Sequence, residues 1–301
     1  MMMKIPIPDT EEIKQHLAGI DDLTHIATGG FKVVFKGIDS SQQVEAIKAI
    51  YIPTESDGFE PEQIAQLLAR AQREIAALRL CKSPCIVRLG TLEPKLVKVS
   101  AGDYLVYSEE FLSGGPLSAQ IGRLIPQPNL PILADVFMFL IEVIEEMVLI
   151  EHLHRDIKPA NIMVTGDEKR PYVILDMGIA YKMHGTKLTQ GPTPPGTLRY
   201  MAPELLLPDY RDVMDFRCDL YSAALSVYEL ASGVQPFAPR PENDYATLYR
   251  ILNDKPVVLE TLRPDLPPKF CRVVDRCIKK SPALRYARMD LLRHDLQEAQ
   301  Q

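Results

Sequence analysis

The sequence concentrates chemistry-bearing side chains in one short stretch, the charged octapeptide HRDIKPAN at residues 154–161. Within it lie a carboxylate, a cation and an amide, at Asp156, Lys158 and Asn161. Further on, Asp176 ends the apolar run YVIL, and a carboxylate at a strand end can coordinate Mg²⁺. Together these groups suit a reaction on a phosphate, whose charged oxygens need positioning and cationic stabilisation. The alternative is a solvated loop whose aspartate caps a helix.

The octapeptide and the apolar Ile162-Met163-Val164 that follows resemble the catalytic loop of the eukaryotic-like (Hanks-type) Ser/Thr protein kinase family. The match over all eight residues argues against the solvated loop. The resemblance implies that Asp156 orients the substrate hydroxyl and accepts its proton, and that Asn161 holds Mg²⁺. Lys158 can supply a cation at the γ-phosphate.

Two further segments extend the resemblance toward the nucleotide. Asp176-Met177-Gly178 stands where the family has its DFG element, which implies that Asp176 binds Mg²⁺ bridging the phosphates. Met177 replaces the phenylalanine and keeps an apolar plug with a more flexible side chain. By the same resemblance, Met163 joins the nucleotide-binding residues.

The segment GTLRYMAPE at residues 196–204 resembles the family's substrate-docking and APE segment. The resemblance places Thr197 beside the acceptor hydroxyl and pairs Glu204 with Arg285. It also implies that Asp219, in the helical DLYS stretch, binds the backbone of the catalytic loop. The residue pattern of this segment, together with Lys158 of the octapeptide, is similar to that of Ser/Thr kinases and differs from the pattern of tyrosine-specific kinases.

In the first part of the chain, VEAIK at residues 44–48 resembles the third-strand V-A-I-K element, in which Lys48 would bind the α- and β-phosphates. Its expected partner is Glu74. This glutamate lies on the same helical stripe as Ala71 and Leu78, so its carboxylate points to the core, where a buried cation would pair with it.

The stretch ATGGFKVV at residues 27–34 aligns with the glycine-rich nucleotide loop but keeps only its middle glycine. Lys32 replaces the third glycine and adds a Cβ and a charge near the phosphates. Taken alone, a glycine pair between strands is more often an ordinary hairpin. The resemblance gives this set of nucleotide-contacting residues in the first strands: Ile26, Ala27, Gly29, Gly30, Val34 and Ala46.

The stretch EFLSGG at residues 110–115 resembles the hinge, where backbone groups of Glu110 and Leu112 would bond the adenine edge. This alignment puts Glu109 at the back of the adenine pocket. An unpaired carboxylate there would be costly to desolvate. Either Glu109 therefore has a partner, for which Lys48 is the candidate, or the local register differs by one residue.

Regulation by phosphorylation is a further expectation. Because Arg155 precedes the catalytic aspartate, its guanidinium could dock a phosphate on the loop that follows Asp176. The candidate acceptors are Thr186, Thr189 and Thr193. Unmodified polar loop residues are the alternative.

The elements around these motifs predict an α+β class and a bilobal protein-kinase fold. A small β-rich N-lobe with one main helix would precede a larger, mainly α-helical C-lobe. The expected strand regions are 23–52 and 86–111, and the expected helices lie at 64–78, 131–151, 217–232 and 266–279. The predicted divisions are an N-terminal extension at 1–19 and a kinase domain at 20–295, with its N-lobe at about 20–110, hinge at about 110–115 and C-lobe at about 116–295.

Composition limits the other possibilities. The 301 residues are 46% hydrophobic and 25% charged, which is typical of a globular protein, and the net charge of −6 argues against binding nucleic acid or a membrane surface. The five cysteines lack zinc-type spacing and are interpreted as reduced core thiols. The first nine residues lack the apolar segment of a signal peptide, and acidic residues interrupt the longest apolar run, at 132–150. We expect a cytoplasmic protein.

The sequence thus predicts an autophosphorylating protein kinase that uses ATP with Mg²⁺, or with Mn²⁺, and acts on Ser or Thr of a protein substrate. A pseudokinase or binding scaffold is the main alternative, favoured by the altered glycine loop and by Glu109. A third hypothesis is a kinase of the same fold that phosphorylates small molecules. The well-formed segment at 197–204 argues against it. The oligomeric state stays open.

Overall fold

The computed structural model divides the chain into two compact units. It describes residues 5–123, 127–177, 181–182, 198–207, 210, 214–238 and 243–301. The expectations for Gly178, Thr186, Thr189, Thr193 and Thr197 therefore lie outside the described residues. Of the described residues, 5–80 and 87–113 belong to the first unit, and 81–86 and those from 114 onward belong to the second.

The first unit is built on a five-stranded antiparallel sheet with the order β1-β2-β3-β5-β4. Its strands are β1 (Ile20–Gly29), β2 (Lys32–Asp39), β3 (Val44–Ile52), β4 (Lys95–Val99) and β5 (Gly102–Glu110). The alternation of side chains along these strands gives the sheet two different faces. One face buries an apolar cluster that includes Val33, Phe35, Ile47 and Ala49 against the short helix α1 (Thr10–Lys14).

The opposite face of the sheet packs against the one long helix described in the first unit, α2 (Pro61–Leu80). Its buried residues Ala71 and Ile75 contact Ile50 of β3 with Leu105 and Tyr107 of β5. Glu74 lies between them on the same helical stripe and is also buried. The predicted helix at 64–78 is thus present, with its carboxylate turned to the sheet.

One expectation of local structure is wrong. The apolar stretch IVRLG at residues 86–90 makes only isolated bridges, at Ile86 and Leu89, and does not form a strand. Side chains take up backbone N–H groups that a strand would use in a ladder. The N–H groups of Arg88 and Thr91 donate to Glu110 and Glu45, at 2.8 and 2.7 Å.

The second unit is mainly helical. Its described helices are α3 (Leu130–Leu149), α4 (Arg217–Ser232), α5 (Asp244–Asn253), α6 (Leu259–Leu262), α7 (Pro268–Cys277) and α8 (Met289–Glu298). Helices α3 and α4 contact each other and are buried along most of their length. Within the part of the chain that the structure describes, no helix has both the length and the apolar character of a membrane span. The α+β expectation, strands first and helices after, is confirmed.

Short strands in the second unit flank the octapeptide and Asp176. They are β6 (Gly115–Pro116), β7 (His152–Leu153), β8 (Ile162–Val164), β9 (Tyr172–Ile174) and β10 (Tyr181–Lys182). Strands β6, β8 and β9 form one small sheet in that order, and β7 pairs with β10. The octapeptide runs from the end of β7 to the start of β8, and Asp176 follows the end of β9.

The cysteines agree with the expectation of free thiols, but Cys81 and Cys85 are half-buried, so the expectation of a core position is wrong for these two. All five are free, and Cys218, Cys271 and Cys277 are buried. Burial raises the pKa of Cys81 to about 12 and that of Cys85 to about 11, so both thiols are poor nucleophiles at neutral pH.

Candidate active site

The backbone of the octapeptide is fixed by a buried carboxylate from α4. Asp219 is fully buried, and its two oxygens accept the backbone N–H groups of His154 at 2.8 Å and Arg155 at 2.7 Å. Arg155 has a left-handed backbone, with φ of 63°, which is strained for a residue with a side chain. The expected bond from Asp219 to the loop is therefore present, and it holds the loop at its strained position.

Asp156, Lys158 and Asn161 form one hydrogen-bonded group. The Lys158 ammonium donates to both oxygens of Asp156, at 2.8 and 2.9 Å. The side-chain amide of Asn161 donates to the backbone carbonyl and to Oδ2 of the same aspartate, each at 2.9 Å. The Asp156 side chain is only 9% exposed, and its bonds to Lys158 and Asn161 fix the orientation of its carboxylate.

Burial sets the electrostatics of this group. It raises the pKa of Asp156 above the ordinary aspartate value, and the nearby carboxylate of Asp176 acts in the same direction. The charge and hydrogen bonds of Lys158 oppose that rise. Burial also lowers the pKa of His154, whose Nδ1 accepts the backbone N–H of Asp156 at 3.3 Å. His154 is thus a neutral structural residue of the loop.

The pairing of β8 with β9 places Asn161 and Asp176 at one end of a small sheet. Ile162 lies opposite Ile174, and the N–H of Leu175 donates to the carbonyl of Asn161 at 2.7 Å. Asp176 follows with φ of 64°, a second strained backbone in this region.

These side chains fit the Mg²⁺ that the family resemblance implies. The Asn161 amide nitrogen bonds Asp156, which leaves Oδ1 as the atom able to ligate a metal, and Asp176 offers a carboxylate. Hard oxygen ligands are those that Mg²⁺ prefers, with one or two protein groups completed by water and phosphates. Among the described residues no cluster of three or more His, Cys, Asp or Glu could hold a metal by itself, which agrees with such a sparse set.

A cavity of about 340 Å³ lies beside Lys158 in the second unit. Its lining includes Ser118, Ala160, Arg199, Tyr200 and Glu229. The hydroxyl of Tyr200 donates to Glu229, whose pKa is raised by burial. A peptide segment bound here would lie next to the lysine of the catalytic group.

The pair expected between Glu204 and Arg285 is present and buried. Two parallel bonds join the guanidinium to the carboxylate, at 2.6 and 2.8 Å. Arg285 also donates to the carbonyls of Lys279, Lys280 and Arg217. The pair thus ties Glu204 to α4 and to the chain that follows α7.

In the first unit the expected pair of Lys48 with Glu74 is not formed. The Lys48 ammonium donates instead to Oε1 of Glu109 at 2.7 Å. Glu74 accepts from Lys32, whose ammonium lies 2.7 and 3.0 Å from its two oxygens. The sequence had offered Lys48 as the partner of Glu109, and that pairing is present.

The strand register explains this exchange. Lys48 lies opposite Tyr107, and Glu109 lies opposite Ala46. Side chains two residues apart share a face, so Lys48 and Glu109 are diagonal neighbours on adjacent strands. Lys32 lies opposite Ile50 on the same face and reaches Glu74 from the side of β2.

Tyr107 is a member of this group that the sequence reasoning missed. Its hydroxyl lies 3.3 Å from Oε1 of Glu74 and 3.4 Å from Oε1 of Glu109. The alternation along β5 could have identified it, because Tyr107 is two residues before Glu109 and opposite Lys48.

The remaining residues expected to contact a nucleotide occupy the same part of the sheet. Val34 lies opposite Lys48, and both Val34 and Ala46 are half-buried on the face of that lysine. The residues at the β1–β2 turn are exposed, namely Ile26, Ala27, Gly29 and Gly30. Strand β5 ends at Glu110, whose N–H donates to the carbonyl of Arg88, and Leu112 follows half-buried.

Comparison with known proteins decides the family. The model of the protein kinase domain matches residues 20–296. The chain belongs to the protein kinase family. The Hanks-type resemblance of its motifs is thereby confirmed.

Several curated relatives of this kinase are themselves protein kinases. Mitogen-activated protein kinase kinase 3 of Arabidopsis thaliana is 28% identical over 275 residues, which is 89% of this chain and 48% of the relative. The dual specificity mitogen-activated protein kinase kinase mek-1 of Caenorhabditis elegans is 32% identical over 142 residues, covering 47% of this chain and 38% of the relative. Serine/threonine-protein kinase PknH of Mycobacterium bovis is 35% identical over 135 residues, covering 45% and 22%. The kinase thus spans about half the length of these relatives or less.

Arg155, which was expected to bind a phosphate, lies within the described residues. Its guanidinium stacks over the ring of Tyr210, with 5.8 Å to the ring centroid. The threonines proposed as phosphate carriers are outside the described residues. Docking of a phosphate at Arg155 stays a prediction.

Proposed function

We propose that this kinase transfers the γ-phosphoryl group of ATP to a Ser or Thr hydroxyl of a protein and also phosphorylates itself. The observation that carries the proposal is the buried carboxylate of Asp156, oriented by Lys158 and Asn161 on a loop that Asp219 holds. Phosphoryl transfer needs mainly positioned groups and charge stabilisation, and this group supplies both. The Ser/Thr preference is supported by the pattern at residues 196–204 and by relatives named as serine/threonine kinases, although one relative is named dual specificity.

In this mechanism Asp156 accepts a hydrogen bond from the acceptor hydroxyl and takes its proton as the oxygen attacks the γ-phosphorus. The bond from that phosphorus to the β–γ bridging oxygen breaks, and ADP leaves with the electron pair. Lys158, already bonded to that carboxylate, would place its ammonium against the transferred γ-phosphoryl group. The cavity beside Lys158 would hold the segment of substrate that carries the hydroxyl.

The family resemblance suggests which residues bind the nucleotide. On the first unit, Lys48 would bind the α- and β-phosphates, backbone groups of Glu110 and Leu112 would bond adenine, and Val34 and Ala46 would cover the base. On the second unit, Asn161 and Asp176 would ligate Mg²⁺. When bound, Mg²⁺, or Mn²⁺ in its place, neutralises negative charge that develops on the phosphates.

A catalytically silent scaffold is the second candidate function, and one observation favours it. Lys48 is engaged by Glu109, whereas the family pattern pairs this lysine with the glutamate of the helix. Against it, the catalytic loop keeps its full set of groups, which a scaffold has no chemical need to retain.

Intact-mass spectrometry separates the two functions. Purified protein and its Asp156→Asn variant would each be incubated with ATP and Mg²⁺ or Mn²⁺, with a generic basic protein as acceptor. We expect added phosphate on the wild type and on the acceptor, and none in the variant reaction. Absence of phosphate in every reaction, from protein that is folded by circular dichroism, would favour the scaffold.

A further inference from the structure

Two departures from the family pattern, Lys32 and Glu109, lie on the same face of the five-stranded sheet. Lys32 stands in place of a loop glycine, and Glu109 stands at the back of the expected adenine pocket. The register places both on the face that also carries Lys48 and that packs against α2. The two departures have opposite charges.

Glu109 lowers the positive charge that Lys48 can offer. Both residues are on strands of one sheet, so the backbone register keeps the carboxylate beside the ammonium. The side chains of Lys48 and Glu109 are 8% and 2% exposed, so water screens this pair little. A phosphate approaching Lys48 also meets a fixed negative charge.

Lys32 supplies a positive charge that offsets Glu109. It is the first residue of β2, directly after the turn at Gly30 and Phe31, and a Cβ at Gly29 or Gly30 would meet no atom within 4 Å. Its side chain is 19% exposed, more than that of Lys48. Both oxygens of Glu74 hold its ammonium, so the lysine is oriented before any ligand arrives.

We propose that Lys32 is a second phosphate-binding lysine of this kinase and that Glu74 is its positioning residue. Glu74 thereby serves Lys32 in the way that the family pattern would have it serve Lys48. The inference rests on the proposed binding of ATP and adds a residue to it. Lys32 then compensates for the negative charge that Glu109 brings to the phosphates.

The test compares ADP with adenosine, because the two ligands share the base and sugar and differ in the phosphates. Titration calorimetry would measure both affinities for the wild type and for Lys32→Met. We expect ADP to bind the variant about 10-fold to 100-fold more weakly, the loss typical of one charged hydrogen bond, and adenosine to bind it unchanged. A loss that is merely structural would weaken both ligands together. Lys98→Met is the matched control, because Lys98 is a strand lysine that is 82% exposed.

Two further variants complete the test, and the first of them guards against misfolding. Lys32→Met leaves the buried Glu74 carboxylate without this partner, so Lys32→Met/Glu74→Gln removes both charges at once. It should show the same selective loss of ADP affinity. In Lys32→Met/Glu109→Gln the compensating charges are both removed, and ADP affinity should return toward that of the wild type.

The outcomes are distinct. If folded Lys32→Met and Lys32→Met/Glu74→Gln bind ADP as tightly as the wild type, Lys32 does not bind phosphate and the inference is wrong. If the wild type binds ADP and adenosine but transfers no phosphate, the proposed catalysis fails. The inference about Lys32 is then still tested by comparing the loss of ADP affinity with the loss of adenosine affinity in Lys32→Met. If the wild type binds neither ligand, the proposed nucleotide binding and this inference are both overturned.

Discussion

The ammonium of Lys48 lies 2.7 Å from Oε1 of Glu109, a carboxylate on the neighbouring strand. Both side chains are almost completely buried. Removing one partner of a buried pair leaves the other charge desolvated and uncompensated, which costs far more than breaking a pair at the surface.

We therefore predict that Glu109→Gln lowers the free energy of unfolding by about 3 kcal/mol. Urea denaturation measures it. Asp103→Asn is the control, because it breaks the exposed pair with Lys98 and should change stability by less than about 1 kcal/mol. Equal effects of the two variants would mean that the buried pair is not the source of the stability.

Asp219→Asn should weaken the fold and the reaction together. The variant keeps one acceptor oxygen, while its NH₂ group faces a backbone N–H of His154 or Arg155 that the carboxylate now accepts. We expect a loss of about 2 kcal/mol in stability, the cost of one buried unsatisfied donor. Phosphate transfer should fall more than this loss predicts, because the loop carrying Asp156 is no longer fixed. Full activity with reduced stability would show that Asp219 serves the fold alone.

The pH dependence of the reaction should report Asp156. Because burial raises its pKa, the carboxylate becomes protonated at a higher pH than an ordinary aspartate. If Asp156 accepts the proton, kcat/KM falls as the pH drops through that raised pKa.

The charge and hydrogen bonds of Lys158 lower the pKa of Asp156, and Lys158→Met removes them. The acid limb in the pH profile of the variant's residual activity should therefore move to higher pH. Lys98→Met should leave the limb in place. Where the rate is too low, the ¹³C shift of the Asp156 carboxyl gives the same titration. A limb that stays or moves to lower pH in Lys158→Met would contradict the assigned electrostatics.

Arg285→Met should be among the most destabilising single substitutions in the second unit. It leaves the carboxylate of Glu204 buried without the guanidinium and removes donors from three carbonyls. We expect a loss of about 4 kcal/mol in urea denaturation. Arg288→Met, which breaks an exposed pair with Asp290, should leave the unfolding curve unchanged. Similar curves for the two variants would refute the structural importance of the buried pair.

Sequence reasoning correctly brought Asp156, Lys158 and Asn161 together, because these residues lie within a few positions of one another. The spacing of Asp156, Lys158 and Asn161 largely determines which atoms can meet. The long-range bond from Asp219 and the pair of Glu204 with Arg285 were also expected, since the family resemblance covers residues that periodicity cannot connect.

The partners of Lys48 and Glu74 could not be settled from the sequence. Helical periodicity shows that Glu74 faces the sheet, but Lys32 and Lys48 both lie on that face. Tertiary packing sets the position of α2 on the sheet. That position determines which of the two lysines the Glu74 carboxylate reaches. The strand expected at 86–90 was wrong for a related reason, because the backbone N–H of Arg88 donates to the carboxylate of Glu110, which is distant in the sequence.

The hydroxyl of Tyr107 carries a single proton between two carboxylates, 3.3 Å from Glu74 and 3.4 Å from Glu109. It can donate to only one of them at a time. Whatever draws Lys32 away from Glu74 makes that carboxylate the stronger acceptor, and the proton then turns away from Glu109. The two ion pairs are therefore linked through the rotation of one O–H bond, and Tyr107→Phe would remove this hydrogen-bonded link between them.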